Sequence, residues 1–106
     1  MRGRTAIAFA GAVAGAALCL PGAAHAATGT FTYHTQPGNV PHVLRDPADG
    51  RCYDVGADGA VRNDTDAIAV LYAIRGCRIT VGVIEPEESR EHAEFGSVKF
   101  VPDQGR

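Results

Sequence analysis

His34, His42 and His92 are the first side chains to weigh for chemistry, because imidazole ligates metals and moves protons near neutral pH. Their spacing argues against a shared site. No H-x-x-x-H or H-E-x-x-H pattern occurs that would place two of them on one helix face. The acids come in pairs, Asp46 with Asp49, Asp54 with Asp58 and Asp64 with Asp66. Such pairs could bind calcium or work as acid and base, but Asp also caps its own backbone in turns. The stretch DPADGRCYD lacks the ligand spacing of an EF-hand. Ser89 and Ser97 are the only serines, and neither sits in a G-x-S-x-G elbow. No glycine loop is built to cradle phosphate. The residue types therefore predict no enzyme, no metal and no cofactor.

Cysteine carries the strongest chemical signal. Of the three, Cys19 lies in a leader-like segment with Arg2 and Arg4, an apolar run to Leu20, the breaker Pro21-Gly22 and Ala23-Ala24-His25-Ala26. These are the parts of a secretory signal peptide ending in an A-x-A site, so cleavage is expected before Ala27, with the bond after Ala24 as the second choice. Residues 1–26 are read as the signal and 27–106 as one secreted, extracellular domain. Leu18 stands where a lipid-anchoring site needs a small residue before Cys19. Cys52 and Cys77 remain, and in an oxidising compartment they are expected to form a disulfide. Their spacing lacks the C-x-x-C of a zinc site. Closing that loop should stabilise a domain with so small a core by about 3 to 4 kcal/mol.

The elements that must position these groups read as strands. In GTFTYHT, Phe31 and Tyr33 share one face while Thr30, Thr32 and His34 share the other. GNVPHVL is a second strand, with Pro41 holding it to an edge or a strand start. RDPADG is a turn, RCYDV a strand and GADG its closing turn. AVRNDTD is short, and its Asn63-Asp64-Thr65 sequon marks a surface turn. Residues 67–72 and 78–84 form the clearest hairpin, with Ile68, Val70 and Tyr72 on one side of its first strand and Ile79, Val81 and Val83 on one side of its second. EPEESREHAE could hold one helical turn starting at Pro86. GSVKFV turns Val98 and Phe100 inward. Six to eight short strands without a crossover helix predict an all-β domain, a small antiparallel sandwich or Greek key with one disulfide.

The order GRCY, VLY with a cysteine five residues on, then HAEFGSVKF resembles the βγ-crystallin-like fold over roughly residues 31–101. Tyr72 matches the aromatic that opens the folded hairpin of that family, while Cys77 replaces its second aromatic and Ile79 its glycine. Phe95 and Ser97 fill the buried and final hydroxyl slots of the closing signature. His92 and Ala93 occupy its acidic slots, so the calcium-ligand positions are not retained. Such domains secreted by actinobacteria include metalloproteinase inhibitors, so the resemblance makes inhibition a conceivable role. Lys99 as the single lysine beside nine arginines is usage that accompanies GC-rich bacterial genes.

Residues 27–106 carry eight basic and twelve acidic side chains, a net charge of −4. That balance speaks against nucleic acid and against anionic membrane surfaces as partners. The function expected is therefore binding or protection outside the cell, with an extracellular protease or a polysaccharide as partner. The alternative is a peptidase inhibitor. Its candidate recognition loop is QPGNVP, stiffened by Pro37 and Pro41 around Gly38 and Asn39, with the acidic stretch 85–94 as a second choice. A calcium-stabilised module using the aspartate turns is a third reading.

Overall fold

A computed structural model describes residues 25–103. The described residues form eight strands: β1 (Gly29–Thr35), β2 (Val40–Arg45), β3 (Cys52–Tyr53), β4 (Ala57–Thr65), β5 (Ala67–Ile74), β6 (Arg78–Ile84), β7 (Ser89–Phe95) and β8 (Ser97–Pro102). They make two antiparallel four-stranded sheets, ordered β2-β1-β4-β7 and β3-β8-β5-β6. Adding four to the first three strands of one sheet gives their counterparts in the other. In each half the first, second and fourth strands pair together, and the third crosses to the opposite sheet. This is a Greek-key order with its third strand exchanged. The exchange ties the halves together, since each sheet lacks an edge until the other half supplies it.

Period-two alternation fills the space between the sheets. Phe31, Tyr33, Val61 and Phe95 face inward from the first sheet, and Ala69, Leu71, Ile84, Val98 and Phe100 from the second. Phe31 meets the Phe100 ring edge-on at 5.1 Å between centroids, and Tyr53 approaches Phe100 at 6.0 Å. Tilted and edge contacts of this kind add to the area buried. Pro41 lies near the start of β2, which is an edge strand, so its missing N–H costs no ladder bond.

Four sequence readings need correction. GADG is not a closing turn, because Ala57, Asp58 and Gly59 open β4 and pair with β7 through a bulge between Gly59 and Val61. AVRNDTD is not a short separate piece but most of that nine-residue strand. Its Asn63 is fully buried, so the sequon does not mark a surface turn. EPEESREHAE holds no helical turn: after a turn at Pro86-Glu87 the chain enters β7, where Arg90 and Ala93 pair with Val61 and Gly59 of β4. The demand for a fourth strand on the first sheet overrides the local helical signals. Residues 1–24, including the expected signal segment up to Ala24, and 104–106 lie outside the described residues.

Candidate functional site

The β5–β6 hairpin folds back over the start of β8 and is fastened there from three directions. Ser97, fully buried, donates from Oγ to the Ile74 carbonyl at 2.6 Å and accepts from the Cys77 amide at 2.9 Å. The Asp54 carboxylate accepts from the Gly76 amide at 2.7 Å. Cys77 is bonded to Cys52 of β3, with 5.9 Å between their Cα atoms. Gly96 makes the approach feasible, because a Cβ there would lie 2.8 Å from the Ala73 carbonyl oxygen.

This clamp presents apolar side chains to solvent. The six large hydrophobic residues exposed among the described residues all fall on the two first hairpins of the halves: Val40 and Val43 on β2, Ile74 at the end of β5, and Ile79, Val81 and Val83 on β6. β2 and β6 are both edge strands. The row of Ile68, Val70 and Tyr72 faces outward beside them, leaving Ala67, Ala69 and Leu71 to the core. Register slips between Leu71 and Tyr72, so Val81 has no partner on β5. A bulge re-aims a strand in this way and raises its twist.

Ile79 has φ of 66° and is 65% exposed. A β-branched residue in the left-handed region is a genuine conformational outlier. Cations border the patch. Lys99 pairs across the sheet with Val70 and reaches the Tyr72 ring at 6.0 Å, while Arg75 and Arg78 flank the hairpin tip.

Of the loop singled out in the sequence, Pro37, Gly38 and Asn39 form the corresponding tip between β1 and β2, and Pro41 is the second residue of β2. Gln36 braces it, donating from Nε2 to the Asp58 carbonyl at 2.9 Å and accepting from the Asn39 amide at 3.1 Å. All four of its named residues are exposed. The acidic stretch 85–94 is mostly strand β7 rather than a loop.

The histidines have separate partners. His34 Nδ1 donates to the Ala60 carbonyl at 2.7 Å, His42 shares a bond with Thr35 Oγ1 and stacks on Tyr33, and His92 lies 3.7 Å from Asp58. Aspartates are engaged with backbone amides, Asp46 with Gly29 and Asp66 with Thr28. Among the described residues no group of three or more His, Cys, Asp or Glu side chains is arranged to hold a metal ion. Two ionisable groups are displaced from their ordinary behaviour. Burial pushes the Tyr33 hydroxyl up, and the Glu85 amide together with Arg90 holds the Glu88 carboxyl down.

What sequence reasoning missed is that the exposed hairpin row is the outer one. Two alanines in the buried row of β5 were the available signal. Small side chains there let the sheets approach, and the larger row is left to face water. The chain matches no family model, no curated protein and no solved structure.

Proposed function

We propose that this is a non-enzymatic secreted binding domain whose recognition surface is the cystine-clamped β5–β6 hairpin. The observation that carries the reading is Ile79, held at positive φ and left 65% exposed. Strain of this kind persists only where the surroundings enforce it, and it concentrates at functional positions. Here Ser97, Asp54 and the disulfide enforce it, and a hairpin so fixed loses little freedom on binding. The exposed cluster of Ile74, Ile79, Val81 and Val83 supplies the apolar centre of an interface, and Arg75, Arg78 and Lys99 its polar rim. A partner with an apolar site and acidic surroundings suits it best. A βγ-crystallin-like relationship, motivated by Tyr72, Phe95 and Ser97, belongs to the same proposal.

The inhibitor reading is favoured by one further observation, the bracing of the 36–39 tip by the Gln36 side chain. A rigid exposed loop is what a protease cleft would grip.

Processed, oxidised protein titrated against secreted metallo- and serine proteases and against cell-wall polysaccharides tests both readings. Binding that is lost in Ile79→Asp and kept in Asn39→Asp supports the hairpin, and the reverse pattern supports the loop. Turnover of any substrate that vanishes on changing His42 or Asp54 would overturn the non-enzymatic reading.

A further inference from the structure

Among the described residues the two sheets have four edges, and three of them carry devices that keep an edge strand from pairing with another chain. β3 is two residues long, β2 contains Pro41, and β7 carries Arg90, Glu91, His92 and Glu94. β6 differs. From Ile79 to Ile84 it has no charged residue and no proline, and Ile79, Val81 and Val83 are exposed along it. Its bulge beside Leu71 and Tyr72 twists the strand but leaves those three side chains in solvent. An apolar edge of this kind is a template for a further strand, and left open it invites aggregation.

We infer that the strand covering β6 is β6 of a second copy of this chain, paired antiparallel about a two-fold axis at Val81. This names a partner for the hairpin surface, and it rests on the reading of that surface as the recognition site. Charge selects the occupant. β6 is entered from a cationic tip holding Arg75 and Arg78, and it leaves into an acidic turn holding Glu85, Glu87 and Glu88. Antiparallel pairing of a strand with itself reverses its order, so the cationic end of each copy meets the acidic end of the other. With Val81 on the axis, Ile79 lies beside Val83 of the other copy, and Arg78 lies beside its Ile84 and next to its Glu85. Apolar pairs and opposite charges across strands are the contacts that stabilise antiparallel sheet. A parallel arrangement would set like charges together.

The charges needed for the exchange are available. Arg75, Arg78, Glu85 and Glu87 are exposed, and none has an ion-pair partner among the described residues. The other ionisable groups at the two ends are engaged: Asp54 accepts from the Gly76 amide at 2.7 Å, and Glu88 holds the Glu85 amide and Arg90. Arg90 also donates to the Val83 carbonyl at 2.8 Å, so that carbonyl of the edge strand takes a side-chain donor from β7. The Arg90 side chain is 43% exposed, and it yields that place to a backbone amide of the other copy. An interface made from the same patch on both copies closes at two and does not propagate into a fibre. It joins the sheets β3-β8-β5-β6 of the two copies into one of eight strands. The disulfide fixes the hairpin beforehand, so little freedom is lost on pairing.

Sedimentation equilibrium tests the pairing, on oxidised protein produced from the full chain in a secreting host and followed from about 1 μM to about 1 mM. A reversible monomer–dimer equilibrium is expected, weaker at high salt. Arg78→Glu sets like charges against Glu85 of the other copy and should weaken the dimer at least about tenfold, and Glu85→Arg should do the same. The double variant Arg78→Glu/Glu85→Arg should restore it. Within one copy the two residues lie at opposite ends of β6, so the rescue reports contact between copies. A monomer throughout overturns the pairing and leaves the edge to a different occupant, while the hairpin reading keeps its own test in Ile79→Asp. A dimer indifferent to both reversals also overturns it, because its interface lies elsewhere. If the reversed variants do not fold, amide exchange in the parent protein decides. Protection along residues 80–83 that rises with protein concentration is expected, and protection that stays constant while a dimer forms overturns the pairing.

Discussion

The carboxamide of Asn63, on the first sheet, donates to the Ile84 carbonyl of the second at 2.9 Å. The same nitrogen donates to the Ala67 carbonyl at 2.8 Å, while its oxygen accepts from the Thr65 amide and hydroxyl at 3.1 and 2.6 Å. All four hydrogen-bonding positions of a fully buried amide are filled, so a side chain that would otherwise oppose burial becomes a rivet between the sheets.

Asn63→Leu is therefore expected to destabilise the domain by about 3 kcal/mol, although leucine is more apolar and similar in size. The change takes the Asn63 partner from the Ile84 carbonyl and the Thr65 amide, both away from water, while the Thr65 hydroxyl keeps its own bonds to Ala67. Chemical denaturation with both cysteines oxidised measures the loss. A cost under about 1 kcal/mol would mean that those groups find other partners.

Reducing the Cys52–Cys77 bond, or replacing both cysteines by serine, should cost about 3 kcal/mol, in keeping with a loop of this length. The hairpin should loosen first. Ser97→Ala removes the bridge between the Ile74 carbonyl and the Cys77 amide, and is expected to cost about 1 to 2 kcal/mol in the oxidised protein. Because the bond and the serine hold the same tip, their effects should be less than additive. Amide exchange at Gly76 and Cys77, followed before and after reduction, reports the loosening directly.

The strand alternation in GTFTYHT and GSVKFV made Phe31, Tyr33, Val98 and Phe100 legible as core, and the structure buries all four. The Cys52–Cys77 pairing and the 67–84 hairpin were legible for the same reason: local spacing and compartment chemistry decide them. Strand β7 was not. Pro86 and the glutamates suit a helix start, and only the vacancy beside β4, created by the exchanged third strand, turns Ser89–Phe95 into sheet. Asn63 was misread because an N-x-T sequon looks polar and exposed until the facing carbonyls of the other sheet are in place. The hairpin surface stayed hidden because alternation says which residues share a face and not which face the second sheet will cover.

Acid should weaken the fold partly through Glu88. Its carboxylate accepts the Glu85 amide at 2.7 Å and faces Arg90 at 3.2 Å, which holds its pKa below the ordinary 4.5. A lowered folded value contributes stability that is whole above the unfolded value and disappears as pH falls through the folded one. Tyr33 acts at the other end. Burial raises its pKa above the ordinary 10.0, so its contribution is whole below that value and is lost as pH rises through the folded one. Stability measured from pH 2 to 6 should fall less steeply on the acid side in Glu88→Gln than in the parent protein, and identical slopes would remove the carboxylate from the account.

Ile79 offers the sharpest separation of stability from function. At φ of 66° a β-branched side chain is strained, whereas glycine adopts that backbone freely. The residue is 65% exposed, so little burial is lost on removing its side chain. Ile79→Gly should therefore raise stability by about 1 kcal/mol, against the usual direction for an Ile-to-Gly change. If the hairpin is the recognition surface, the same variant should bind its partner at least tenfold more weakly, since it gives up the most exposed apolar contact of the patch. A thermal melt and a binding titration on one protein sample decide the point. A stabilised variant with unchanged affinity would leave the strain without a functional reason, and a destabilised one would show that the Ile79 side chain, rather than the clamp beneath it, holds the tip in place.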